Sequence, residues 1–192
     1  METRLALKLL APYLAVGVFW CGLSNGWLAI LAYHAQILFW RRSSGPGVWR
    51  PVPRRVLPLV LPAALAGPLL YLLLPVITEG NLPAWLAAHR LSGAPLLAMI
   101  PYFGLVHPVL EQVHWAPLRE HTAWAHPVFA GYHMLVLWSL LPVAWLVACF
   151  AVLTAVSVLW HGLSRRGRGL TAPVASHALA DLGVVVAAWL RS

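Results

Sequence analysis

Between Glu120 and Arg165 the chain carries no Asp, Glu, Lys or Arg, and residues 124–161 inside that interval are apolar almost throughout. About 20 such residues cross the hydrocarbon of a bilayer. The interval is therefore long enough for two spans, with a break expected near Leu141-Pro142. Lipid offers backbone groups no water to bond, so each must be paired within the chain, which limits spanning structure to helices and closed barrels. Continuous apolar runs of this length predict helices.

The same pattern recurs along the chain. Residues 5–40 form an apolar stretch interrupted at Ser24-Asn25-Gly26, a turn signal that predicts a hairpin of two short, tilted spans. Further spans are expected over 56–78, 94–115 and 170–190, with an interfacial segment at 79–92. The sum is an all-α polytopic bundle of about seven spans, a single membrane domain over 1–192. Residues 1–92 supply N-terminal spans and a basic loop, and 93–192 form the prospective catalytic core. Composition agrees: 61% of residues are hydrophobic and 9% charged, whereas soluble domains carry about 25% charged residues. The start, METRLALKLLAPYLAVGVFW, is built like a signal peptide but lacks a clear small-residue cleavage site, and is expected to remain as the first span.

The net charge of +8 arises from thirteen basic against five acidic residues. The basic residues crowd into short loops, which fits topology signals and lipid headgroup contacts rather than nucleic acid. One cluster holds Arg41, Arg42, Arg50, Arg54 and Arg55, and another is Ser164-Arg165-Arg166-Gly167-Arg168. Both are expected on the cytoplasmic side, and the four spans between them return the chain to one face. Cys21 and Cys149 lie in apolar runs and are expected to be buried structural thiols.

The acids are few enough to be placed one by one. Glu2 is terminal, Glu79 lies in a loop and Glu120 in a short linker, leaving Glu111 and Asp181 in apolar sequence. Asp181 follows His177 by four residues, so both share a helix face, as do Phe129 and His133. With the topology above, Glu111, His133 and His177 all lie within about ten residues of a helix end, or roughly 15 Å at 1.5 Å per residue. Ionisable groups at such depth are expensive and mark functional sites.

A carboxylate withdrawn from bulk water is a suitable base for activating a water molecule, and Glu111 is the candidate. His133 is suited to hold that water or pass a proton to a leaving amine. His177, oriented by Asp181, is suited to stabilise an oxyanion. His107, His114, His121 and His126, with Trp115 and Trp124, read as interfacial residues, with a metal cluster as the alternative. His34, His89 and His161 carry only a packing reading. Pro95, Pro101 and Pro108 are expected to interrupt the helix leading to Glu111.

The order Glu111-Gln112, then Phe129-x-x-x-His133, then His177-x-x-x-Asp181 before a last apolar helix resembles the CAAX protease and bacteriocin-processing family of intramembrane glutamic endopeptidases. The run SRRGRGLTAPVASHALADLGVVV is similar to that family's final block. The resemblance covers residues 100–190. It implies metal-free peptide hydrolysis, without a cofactor, by water activated at Glu111, with His133, His177 and Asp181 as catalytic partners and Gln112, Phe129 and Arg119 in support. Two positions depart from the family pattern: Gln112 stands where its second glutamate is found, and Ala116 where its arginine is found, with Arg119 available one turn later. This divergence in a compact chain is similar to the bacterial sorting branches, such as myxosortases. It implies a bacterial cytoplasmic membrane protein acting on the membrane-associated tails of exported proteins, with lipids and that peptide as partners.

Two other classes stay open on the residues alone. Two histidines and a carboxylate form a known zinc set, although no His-Glu-x-x-His helix is present. A non-catalytic peptide binder or proton-coupled transporter would also place acids and imidazoles in spans, but neither internal symmetry nor paired broken helices are evident.

Overall fold

A computed structural model describes residues 2–41 and 49–192; Arg42 of the expected basic loop lies outside the described residues. All regular structure among the described residues is helical. Helix α1 (Glu2–Val16) continues through a π-helical segment, Gly17–Gly22, and turns into α2 (Gly26–Arg41). Asn25 stands at that turn and its side chain accepts a hydrogen bond from the Leu28 amide at 3.0 Å, so the expected hairpin forms where the turn signal sits.

The third apolar run is helical from Arg54 to Ile77 through the short α3 (Leu57–Val60), a 3₁₀ stretch (Leu61–Leu65) and α4 (Ala66–Ile77). The interfacial segment contains α5 (Leu82–Ala88). The span expected over 94–115 is instead two helices, α6 (Ala94–Leu105) and α7 (His107–His121), bent by 47°. Pro108 lies at the start of α7 and lacks the N–H that would join the two helices. Helix α7 also runs further than expected. It passes Pro117, so Arg119-Glu120-His121 is its last turn rather than a linker. The run 124–161 breaks as expected between α8 (Ala125–Leu137) and α9 (Val143–Gly167), and α10 (Thr171–Leu190) closes the chain.

Among the described residues four helices are long and apolar enough to cross a membrane, Thr3–Gly22, Arg54–Ile77, Val143–Gly167 and Thr171–Leu190, and the bent pair makes five. The 16 residues of α2 and the 13 of α8 fall short of that length. Four or five membrane-length helices are thus present rather than an established seven. Cys21 is exposed and Cys149 half-buried, and neither is paired, unlike the buried thiols expected.

Helix α10 packs on α4, α6, α7 and α9 and organises the bundle. Its approach to α4 is backbone to backbone: a Cβ on Gly67 would lie 2.7 Å from the Gly183 Cα. Small residues at crossings let membrane helices pack without a hydrophobic driving force. Gly183 is two residues beyond Asp181, so this crossing also sets how deeply Asp181 enters the bundle.

Candidate active site

Helix α7 supplies the centre of the polar cluster. His107 and Glu111 are four residues apart and share a face, and Glu111 is fully buried. Its two carboxyl oxygens are in different situations. Oε1 accepts a hydrogen bond from Tyr33 on α2 at 2.5 Å and another from the Tyr132 hydroxyl on α8. The indole of Trp115 donates to the Tyr33 oxygen at 2.7 Å, which commits the phenol proton to Glu111. Oε2 has no hydrogen-bond partner. It lies 3.5 Å from His107 Nε2 and 3.6 Å from His177 Nε2.

Helix α10 brings His177 and Asp181 onto the same spot. Asp181 Oδ2 is 3.1 Å from His177 Nε2 and 3.7 Å from His107 Nε2, and it too lacks a hydrogen-bond partner. Four polar atoms from two helices therefore enclose one small volume, with no pair aligned as a hydrogen bond. Unpaired buried polar atoms carry a desolvation cost of about 1–3 kcal/mol each.

Each ring is anchored from behind. His107 Nδ1 lies 3.0 Å from His34 Nε2, and His34 Nδ1 lies 2.7 Å from the Tyr102 hydroxyl. His177 stacks on Trp160, with centroids 4.0 Å apart and planes 27° apart. Its Nδ1 lies 3.2 Å from Gln112 Nε2. Gln112 Oε1 accepts from Arg119 Nη1 at 2.9 Å, and Arg119 Nε donates to Ser157 on α9 at 2.9 Å. The Arg119 guanidinium sits 5.2 Å from the Phe129 ring centroid. Arg119 thus reaches the glutamine from one turn beyond Ala116, and Phe129 covers the guanidinium.

His133 is placed differently from the expectation. Its Nδ1 donates to the Phe129 carbonyl at 2.9 Å, and its ring stacks on Tyr132 at 4.1 Å. Among the described residues, the imidazoles within 4.0 Å of Glu111 are those of His107 and His177. The second ring at the acid is therefore His107, which is buried rather than interfacial, and His133 lines the adjoining cavity. That cavity, about 210 Å³, is lined by His107, Tyr33, Tyr132 and His133 together with apolar side chains such as Ile30, Met99, Val136 and Val185. His34 also departs from a plain packing role, since it is the partner of His107. His114 is buried as well, its ring nitrogen 3.2 Å from the Lys8 carbonyl. Tyr33 and Tyr132 were not readable as site residues from spacing, and His107 was readable only within the alternative metal cluster. The one hint was that Tyr33 and Tyr132 each precede a histidine in an apolar run.

No family model, curated protein or solved structure matches this chain.

Proposed function

We propose that this protein is an intramembrane endopeptidase whose nucleophile is a water molecule activated by Glu111. The reading is supported above all by the unequal environment of the two Glu111 oxygens. Two phenols hold Oε1 and fix the plane of the carboxylate, while Oε2 is left bare between two imidazoles. A base needs one free lone pair within reach of the proton it removes, and a fixed orientation.

In the proposed reaction Oε2 takes a proton from water as the water oxygen bonds to the carbonyl carbon of the peptide. The resulting oxyanion is met by His177, a donor of the kind whose removal costs about 2.7–4 kcal/mol in hydrolases. His107, backed by His34, holds the water on the other side of Oε2. The proton collected on Glu111 passes to the leaving amine as the C–N bond breaks. Asp181 orients His177. The cavity beside the cluster is lined by apolar side chains, which suits a peptide arriving from within the membrane. We place the cluster in the cytoplasmic half of a seven-segment bundle in a bacterial inner membrane, with α2 and α8 as short crossings. The C-terminal anchor segment of an exported protein is the proposed substrate.

A second reading has an observation in its favour. Ligand atoms of His107, Glu111 and His177 lie within 4.8 Å of one another, and Glu111 Oε2 is 3.5 and 3.6 Å from the two ring nitrogens, close to the tetrahedral edge of about 3.3 Å implied by zinc bonds of about 2.0–2.1 Å. Activity abolished by chelation and restored by zinc would favour that reading.

The deciding experiment compares the C-termini of membrane and exported proteins in cells carrying the wild-type chain, the Glu111→Gln variant, or neither. Shortened termini that require Glu111 are expected while the variant still accumulates in the membrane. Identical termini in all three cell types would overturn the proposal.

A further inference from the structure

Arg119 is an odd residue to bury in a membrane bundle. It is 4% exposed, and no acid lies within ion-pair distance of it among the described residues. Its neighbours are neutral: the Gln112 carbonyl, the Ser157 hydroxyl, and the rings of Phe129 and Trp160. An arginine side chain donates hydrogen bonds and accepts none. The atom of Gln112 facing it must therefore be the carbonyl oxygen, and the amide –NH₂ is turned the other way, onto His177 Nδ1 at 3.2 Å. Two donors cannot bond each other, so Nδ1 must accept. A neutral imidazole that accepts at Nδ1 carries its proton on Nε2.

We infer that Arg119, acting through Gln112, sets the tautomer of His177, holding its proton on Nε2, the ring nitrogen 3.6 Å from Glu111 Oε2 and 3.1 Å from Asp181 Oδ2. The side chains form a one-way series: Arg119 cannot accept, so Gln112 cannot flip, so His177 cannot move its proton to Nδ1. Arg119 and Gln112 are positioning residues that act without touching the reacting atoms.

Two consequences follow. A ring nitrogen that bears a proton has no lone pair for a metal, so His177 is closed to zinc at Nε2 despite the favourable distances. The same N–H is a donor waiting for negative charge, which is what an oxyanion requires. This second consequence rests on the endopeptidase reading, whereas the tautomer does not.

The test is ¹⁵N NMR of the full-length protein in nanodiscs with histidine rings labelled, the His177 signals being assigned by their loss in His177→Gln. Wild-type protein is expected to show a protonated Nε2 and a bare Nδ1, unchanged by added Zn²⁺. In Gln112→Glu, where a carboxylate beside Arg119 accepts on both sides, the proton should appear on Nδ1. In Arg119→Met, the freed amide can turn, and both tautomers should be seen. A wild-type ring protonated at Nδ1, zinc-induced shifts of the wild-type His177 nitrogens, or a Gln112→Glu spectrum identical to wild type would each overturn the inference. The expected wild-type pattern in a protein that leaves every peptide uncut would sustain the inference while removing the endopeptidase reading.

Discussion

Helix α7 carries two acids that each face a histidine at the same distance. Glu111 Oε2 is 3.6 Å from His177 Nε2, and Glu120 Oε1 is 3.6 Å from His161 Nδ1. The side chains of the first pair are 0% and 3% exposed, and those of the second 54% and 21%. Glu120 is largely exposed, and contacts of an exposed charge contribute about 0–1 kcal/mol, although the facing His161 Nδ1 is itself buried without a hydrogen-bond partner. The inner pair is shut off from bulk solvent, so the surrounding side chains supply most of the partners its atoms have. Glu111 Oε1 has two phenols, His177 Nδ1 has an amide, and Oε2 has nothing. Separation alone does not distinguish a site from a surface contact. The assigned partners behind each atom do.

The sharpest way to break the contrast is to neutralise each acid in turn. Glu111→Gln removes the proposed base at nearly constant shape and should lower processing by about 10²–10⁴-fold, the range typical of a positioned acid or base, read as the fraction of shortened C-termini. Loss of protein from the membrane instead would assign Glu111 a structural role. The next largest effect separates the two candidate partner rings. His107→Ala should reduce processing by about 10²-fold, and His133→Ala by less than tenfold, because of these two rings it is His107 that lies within 4.0 Å of Oε2; the reverse order would restore His133 as the partner. Tyr33→Phe and Tyr132→Phe each leave one phenol on Oε1. With a hydrogen bond to a charged group contributing about 1.5–3 kcal/mol, each variant should process about 10- to 10²-fold more slowly, and the double variant should be more impaired than either. Smallest of all, Glu120→Gln should change processing by less than about twofold, as expected of an exposed side chain outside the cluster. A large loss there would erase the distinction between the two pairs.

The helical segments were legible because a bilayer imposes a length and a backbone rule on any apolar run, and the breaks at Ser24-Asn25-Gly26 and Leu141-Pro142 carry turn chemistry. The extension of α7 to His121 was not legible, since Pro117 reads as a stop unless neighbouring helices accept the bend it makes. The i, i+4 pairing of His177 with Asp181 follows from helix geometry and could be read directly. Arg119 was readable only as a candidate, and its contact with Gln112, seven residues earlier, needed the helix to continue.

By itself the sequence determined that this chain is helical with runs long and apolar enough to cross a membrane, that Glu111 and Asp181 are the acids set in apolar sequence, and that His177 shares a face with Asp181. These follow from local rules of length, cost and helical period. Only the tertiary structure decided that His107 and not His133 approaches Glu111, that Tyr33 and Tyr132 divide its oxygens, and that Arg119 points Gln112 at His177. In a span where most faces are apolar, periodicity hardly marks which side meets lipid and which meets another helix. The rotation of each helix about its axis comes from contacts between distant segments, such as the close passage of Gly67 and Gly183, and that rotation chooses which polar atoms meet.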